Sequence, residues 1–277
     1  KHLEDWWRLS DFDLNIGDIK TVWELSRFDW IVNFALRAIC GDKNFIKKSN
    51  LWIKNWCENN PPYLGVNWKC AQEASIRLIH IAMASKILDQ REMLGDLKSF
   101  VIVHLQRIES TLSYAISQQN NHATSEAAAL YIGGTWCKIN SIKRGSKWAK
   151  KGRSLLENSI KNLIMSDGSF SQYSINYHRL LLDTLSMVEL WRRWVKDDRF
   201  SENFYFKSKL ATIWLFSMVN PKNGHAPNIG ANDGANLFSC LKDEFLDFRS
   251  SVQLSCVLFH NSVAYENMGT FDFILAV

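Results

Sequence analysis

The chain has 277 residues, a net charge of +5, 47% hydrophobic and 22% charged residues. That composition excludes a disordered or low-complexity chain, and the length gives about two domains or one large one. With 13 Gly and 4 Pro, chain breakers run at about half their usual frequency, which argues against a turn-rich sandwich or barrel and for long helices.

Residues 1–20 combine Trp6, Trp7 and Phe12 with Asp5, Asp11, Asp13 and Asp18, and read as an arm lying over the domain. Thr21 to Glu24 forms a capping box, and Val22, Leu25, Phe28, Val32, Leu36 and Ile39 recur at spacings of three and four, which predicts one helix. A second helix over 45–57 ends at Asn59-Asn60-Pro61-Pro62. The third runs from about Trp68 to Leu88. The fourth carries Leu97, Val101, Leu105, Ile108, Leu112 and Ile116, and the fifth starts near His122. A sixth covers about 146–165. The seventh has Tyr177, Leu181, Leu185, Val188, Trp191 and Val195 on one face. The eighth spans 203–219, and a last helical stretch falls at 243–259. The tail 262–277 alternates enough to begin a strand, and the chain reads as a piece cut from a longer protein. Helices of this length joined by short loops form antiparallel hairpins. Several are apolar on more than one face, which fits an all-α, double-layered α/α toroid. The absence of a fixed-period repeat lowers a solenoid. No apolar run is long enough for a membrane span, no nucleic-acid motif is present, and the basic run Lys143, Arg144, Lys147, Lys150, Lys151, Arg153 reads as a solvated outer face.

Four polar stretches stand out. Gln118 to Glu126 contains Asn121 and His122 at the start of an apolar helix; an N-cap explains one Asn there, not the whole run. Asp167 to Arg179 leads a Ser/Gln-rich turn into Tyr177, His178 and Arg179, for which a core Tyr with a satisfied His is the plainer account. Gly224 to Gly234 is a long Gly/Asn-rich loop in a chain that otherwise avoids such loops, read either as functional or as a surface connection. Asn67-Trp68 precedes Gln72, Glu73 and Arg77; Glu73 and Arg77 also have the spacing of a surface ion pair. The six cysteines lack metal spacing and read as free thiols.

Together these stretches resemble the helical domain of the heparinase II/III-like polysaccharide lyases, the family of alginate and heparan lyases. The matching pieces, in order, are Trp23-Glu24-Leu25-Ser26-Arg27-Phe28, Gly65-Val66-Asn67-Trp68 with Glu73 and Arg77, Asn121-His122-Ala123 with Glu126, Asp167-Gly168-Ser169 with Tyr177-His178, Ile229-Gly230 with Asp233-Gly234, and Asp247-Phe248-Arg249. The resemblance implies an incomplete α/α toroid over 21–260, after the arm 1–20, with 261–277 beginning a truncated β-sandwich against which the toroid packs. It implies β-elimination at a uronic acid in an acidic polysaccharide, with no membrane or nucleic-acid partner. Asn121 and His122 would neutralise the substrate carboxylate, and Tyr177, which directly precedes the His as in the family motif, would act as base, acid or both, with Tyr173 as the alternative tyrosine. Asn67, Trp68, Gln72, Arg77, Glu126, His178, Arg179 and Asn232 would contact substrate. No metal or cofactor is expected in this part; a structural divalent metal belongs to the sandwich, which often also brings another catalytic His. The family points to a periplasmic or secreted location, the free cysteines to a cytoplasmic one. The competing functions are an α/α-toroid glycoside hydrolase, with carboxylates drawn from Glu126, Asp167 and Asp233, and a non-catalytic glycan-binding domain.

Overall fold

The computed structural model describes residues 4–10, 17–237, 244–266 and 269, and these form an all-helical fold. The helices are α1 Lys20–Leu25, α2 Asp29–Ile39, α3 Asn44–Asn59, α4 Ala71–Ile87, α5 Leu97–Ser117, α6 Asn121–Ile139, α7 Gly145–Leu163, α8 Ile175–Val195, α9 Glu202–Met218 and α10 Arg249–Ser255. Helices α2, α4, α6, α8 and α10 line up side by side as an inner layer, and α3, α5, α7 and α9 cover them. This is an incomplete α/α toroid. The sequence explains the division. In α4 nearly every residue from Ala71 to Ser85 is buried, as is Ala123 to Cys137 in α6; helices apolar on all sides must be covered on all sides. Helix α7 instead keeps a strong polar face carrying the basic run.

The α6–α7 hairpin is interlocked by glycine. A Cβ on Gly134 would land on the Ala149 backbone nitrogen, and one on Gly152 on the Tyr131 nitrogen. The two backbones therefore touch where no side chain fits.

The single helix expected over 21–39 is two. Helix α1 stops at Leu25, and Phe28 sits at φ 66° before α2 starts. Apolar spacing continues across the break, but tertiary contacts override it. Phe28 is buried against Trp30, Trp56 and Phe100, Ser26 accepts from the Trp56 indole, and Arg27 reaches α4. The capping box does not form: Thr21 donates its hydroxyl to the Asp18 carbonyl, and Leu25 is exposed. At the arm, Trp6–Arg8 is one 3-10 turn. Asp5 bridges Leu64, and the Arg107 guanidinium lies 3.6 Å over the Trp6 ring. The last helical stretch begins at Arg249 and ends in a wide π turn, Cys256–His260. Residues 261–266 carry no strand; 270–277, where most of the expected strand falls, lie outside the described residues.

Candidate active site

The hairpin topology points the N-termini of α4, α6 and α8 to one end of the bundle, and most of the polar stretches gather there. Asn120, not Asn121, is the cap of α6, accepting from the His122 amide at 2.9 Å. Asn121 is thereby left for other work. Its side-chain amide donates to Gln72 Oε1 on α4 at 2.9 Å, and its backbone N–H donates to Gln172 Oε1, in the turn before α8, at 2.9 Å. One turn into α6, His122 Nδ1 lies 3.3 Å from Glu126 Oε1. Glu126 is buried; burial pushes its pKa up, partly offset by His122, and its second oxygen has no protein partner. With Nδ1 turned to the carboxylate, Nε2 of the partly exposed imidazole is left for a ligand.

Tyr177 belongs to the same end through its cap. Ser174 Oγ accepts from the Tyr177 amide, two residues after Gln172. The phenol hydroxyl donates to Asp233 Oδ2 at 2.7 Å, and Lys20 Nζ lies 3.4 Å from the same oxygen. Burial and the Asp233 carboxylate raise the Tyr177 pKa; burial pushes Asp233 up, but bonds from Tyr177 and Lys20 outweigh it and hold it below its usual value. Beside them Arg27 forms a bidentate pair with Glu73, at 2.8 and 2.9 Å, next to Gln72 on α4. The aligned N-termini add partial positive charge, which suits an anionic ligand.

Several sequence-expected contacts are elsewhere. Arg77 is fully buried: it donates to the Asn67 carbonyl at 2.6 Å and to His104 Nε2 at 3.3 Å, and stacks over Trp56 and Trp68. Burial without a carboxylate partner lowers its pKa to about 10. It is closed off from the surface and does not pair with Glu73, which Arg27 takes instead. Trp68 is a core residue, 1% exposed, with its indole bonded to the Asn60 carbonyl, so it offers no sugar platform. Asn67 is buried and donates to Asn60 Oδ1. His178 faces α9, bonded to the Ala211 carbonyl and stacked on Trp214 at 4.5 Å; burial lowers its pKa to about 4. Arg179 is buried between Phe245 and Phe248 and binds the carbonyl of Phe245 and Asn176 Oδ1. Each is spent on the fold. Asn232 stays exposed at the loop tip, bonded to Asn228. Asp167 closes a turn with Ser169, on the surface. Gln72, Asn121, His122, Glu126 and Tyr177 are the expected residues left at the polar end. To them the structure adds Lys20, Arg27, Gln172 and Asp233. Arg27 stands in the sequence motifs without an expected contact, and Asp233 with a role only as a carboxylate of the hydrolase alternative; the signal for Gln172 is its Ser/Gln-rich turn.

The polar end lies on the inner layer of an α/α-toroid domain. The heparinase II/III N-terminus family description matches residues 6–246, and the chain belongs to that family. A heparin-sulfate lyase of Bacteroides thetaiotaomicron is 28% identical over 171 residues, 56% of this chain and 23% of that protein. A crystal structure of a heparan sulfate lyase HepC mutant from Pedobacter heparinus aligns with 92% of this chain and 39% of its own, at TM-score 0.55 and 18% identity. A crystal structure of heparinase III aligns with 74% and 32%, at TM-score 0.54 and 20% identity. The solved structures establish the fold. The chain spans 23% of the curated relative and under two-fifths of each solved one. Among the described residues, no helix is long and apolar enough to cross a membrane, and no three His, Cys, Asp or Glu side chains gather as a metal site.

Proposed function

We propose that this chain is the helical half of a polysaccharide lyase that cleaves a uronic-acid-containing acidic polysaccharide by β-elimination. The observation that carries the reading is the bonded set linking Asn121 to Gln72 and Gln172, which ties the starts of α4 and α6 to the turn before α8, the helix that carries Tyr177 in its first turn. The proton next to a carboxylate is very weakly acidic. Its removal needs the carboxylate neutralised, so that charge developing on its oxygens is stabilised. Asn121 and the outward nitrogen of His122 supply donors there, on a helix N-terminus that favours negative charge. Tyr177 handles the substrate protons as base, acid or both. Glu126 holds His122 in place, and Gln72 acts on Asn121. A glycoside hydrolase would need two carboxylates flanking the bond; of its three candidates, Glu126 lies behind His122 and Asp167 is in a surface turn, which leaves Asp233 alone at the polar end, held by Tyr177 and Lys20.

The test uses the full-length protein beside this chain. Each is incubated with alginate, heparan sulfate, hyaluronan and bacterial capsular polymers, and the ultraviolet absorbance of the new conjugated double bond is followed. A rise that vanishes in Tyr177→Phe supports the reading. Reducing ends without absorbance would replace it with hydrolysis. Glycan binding without either product from both proteins would leave a binding domain, and activity in the longer protein alone would show that the remaining domain completes the site.

A further inference from the structure

Tyr177 meets a carboxylate that the fold delivers to it. Asp233 lies 56 residues away, on the Gly/Asn-rich loop. That loop is fixed by contacts that do not involve Asp233. The Ile229 carbonyl accepts from the Ile175 amide at 3.1 Å, and the Ala231 carbonyl accepts from Ser174 Oγ at 2.5 Å. The Leu237 carbonyl faces buried His80 on α4. Gly230, at φ +76°, lies so close to the Tyr173 carbonyl that any Cβ would collide with it. Pinned on both sides of position 233, the loop sets Asp233 Oδ2 at 2.7 Å from the phenol. Asp233 Oδ1 accepts from the Ala235 amide, and Lys20 backs Oδ2.

We infer that Asp233 is a positioning residue that keeps the proton on Tyr177, so that Tyr177 begins the reaction as a phenol and serves as its general acid. The inference rests on the lyase reading above. Its basis is charge at close range. A phenolate at this place would face a carboxylate oxygen across one hydrogen bond, and like charges at that separation oppose ionisation strongly where water is partly excluded. The cations nearby do not reverse this. Lys20 already lies against Asp233, and Arg27 is bound bidentate by Glu73, with Glu24 also close enough to act on it. Burial of Tyr177 acts in the same direction. The proton balance follows. As the bond from C4 to the glycosidic oxygen breaks, the Tyr177 O–H proton passes to that oxygen. The proton from C5 goes to a separate base, a neutral imidazole other than His122, which stays protonated against Glu126 and the substrate carboxylate; that base returns its proton to water. The phenolate then regains a proton from water after product leaves.

The test is a spectroscopic titration of the 277-residue chain, which needs no turnover. Tyrosinate absorbance is followed against pH in the unsubstituted chain and in Asp233→Asn. Each has its Tyr177→Phe counterpart subtracted, so that the difference reports Tyr177 alone. Asparagine keeps the shape and removes the negative charge. The unsubstituted chain is expected to give no Tyr177 transition near the ordinary phenol value of about 10, and Asp233→Asn to bring the transition down by at least about one pH unit, tenfold in ionisation. Asp233→Glu should suppress it again. A Tyr177 transition near pH 10 in the unsubstituted chain overturns the inference without any Asp233 variant being needed. Equal transitions in the unsubstituted chain and Asp233→Asn overturn it as well. In the full-length protein, Asp233→Asn should shift the alkaline limb of the elimination rate to lower pH. Absence of elimination there would overturn the lyase reading, while the titration decides the role of Asp233 separately.

Discussion

Arg27→Ala is the perturbation with the clearest expected cost. Arg27 joins the α1–α2 break to α4 through two bonds to Glu73, at 2.8 and 2.9 Å, with side chains 13% and 5% exposed. Such a pair is far from a surface salt bridge, whose worth is about 0–1 kcal/mol. Removing the guanidinium strands a buried carboxylate, and losses of that kind run to about 3–5 kcal/mol. Against a total stability of roughly 5–15 kcal/mol, this is a large share. Urea unfolding followed by circular dichroism at pH 7 measures it, provided the slope against urea stays constant. The companion Arg27→Met/Glu73→Gln variant carries no stranded charge and fills similar volume, so most of the loss should return. A loss below about 1 kcal/mol in Arg27→Ala would put the pair in the surface class and refute the argument. A double variant no more stable than the single would show that packing, not charge, was lost.

Three further outcomes are expected. His178 titrates near 6.5 when unfolded but only at about 4 when folded, so the unfolded state binds the proton first. Its contribution is full above pH 6.5 and lost as pH falls toward 4, by roughly 3 kcal/mol; His178→Phe should flatten the stability–pH slope in that window, and an unchanged slope would contradict the burial account. Gly152→Ala forces a methyl onto the α6 backbone and should cost about 1–3 kcal/mol in urea unfolding, with a neutral result ruling out the close approach. Gln172→Ala removes the acceptor for the Asn121 amide; binding of a uronate oligosaccharide, measured by calorimetry, should weaken about tenfold, close to one hydrogen bond, and unchanged affinity would remove Gln172 from the site.

The inner helices were legible because their sequences leave no polar stripe to face water, and the short polar breaks fixed where they stop. The break at Ser26–Phe28 was not, since the apolar spacing runs straight through it and only the contacts of Arg27, Phe28 and Trp56 disclose it. Residue type pointed to the polar end where Asn121 and His122 lie, but the equally suggestive Arg77, Trp68, His178 and Arg179 are buried in the fold. On a helix covered from every side, sequence spacing cannot say which neighbour a charged or aromatic side chain meets. The Tyr177–Asp233 contact closes over 56 residues, and no local pattern encodes a pairing at that range.

Helices α4 and α6, which offer almost no surface to water, begin at the polar end with Gln72 and Asn121. Their amide hydrogens should exchange with solvent far more slowly than those of the more exposed loop bearing Asp233, which is held at a few points on either side of position 233. The two halves of the polar end therefore rest on different supports: Asn121 on the packed inner helices, and the partner of Tyr177 on the loop anchors at Ile229, Ala231 and Leu237.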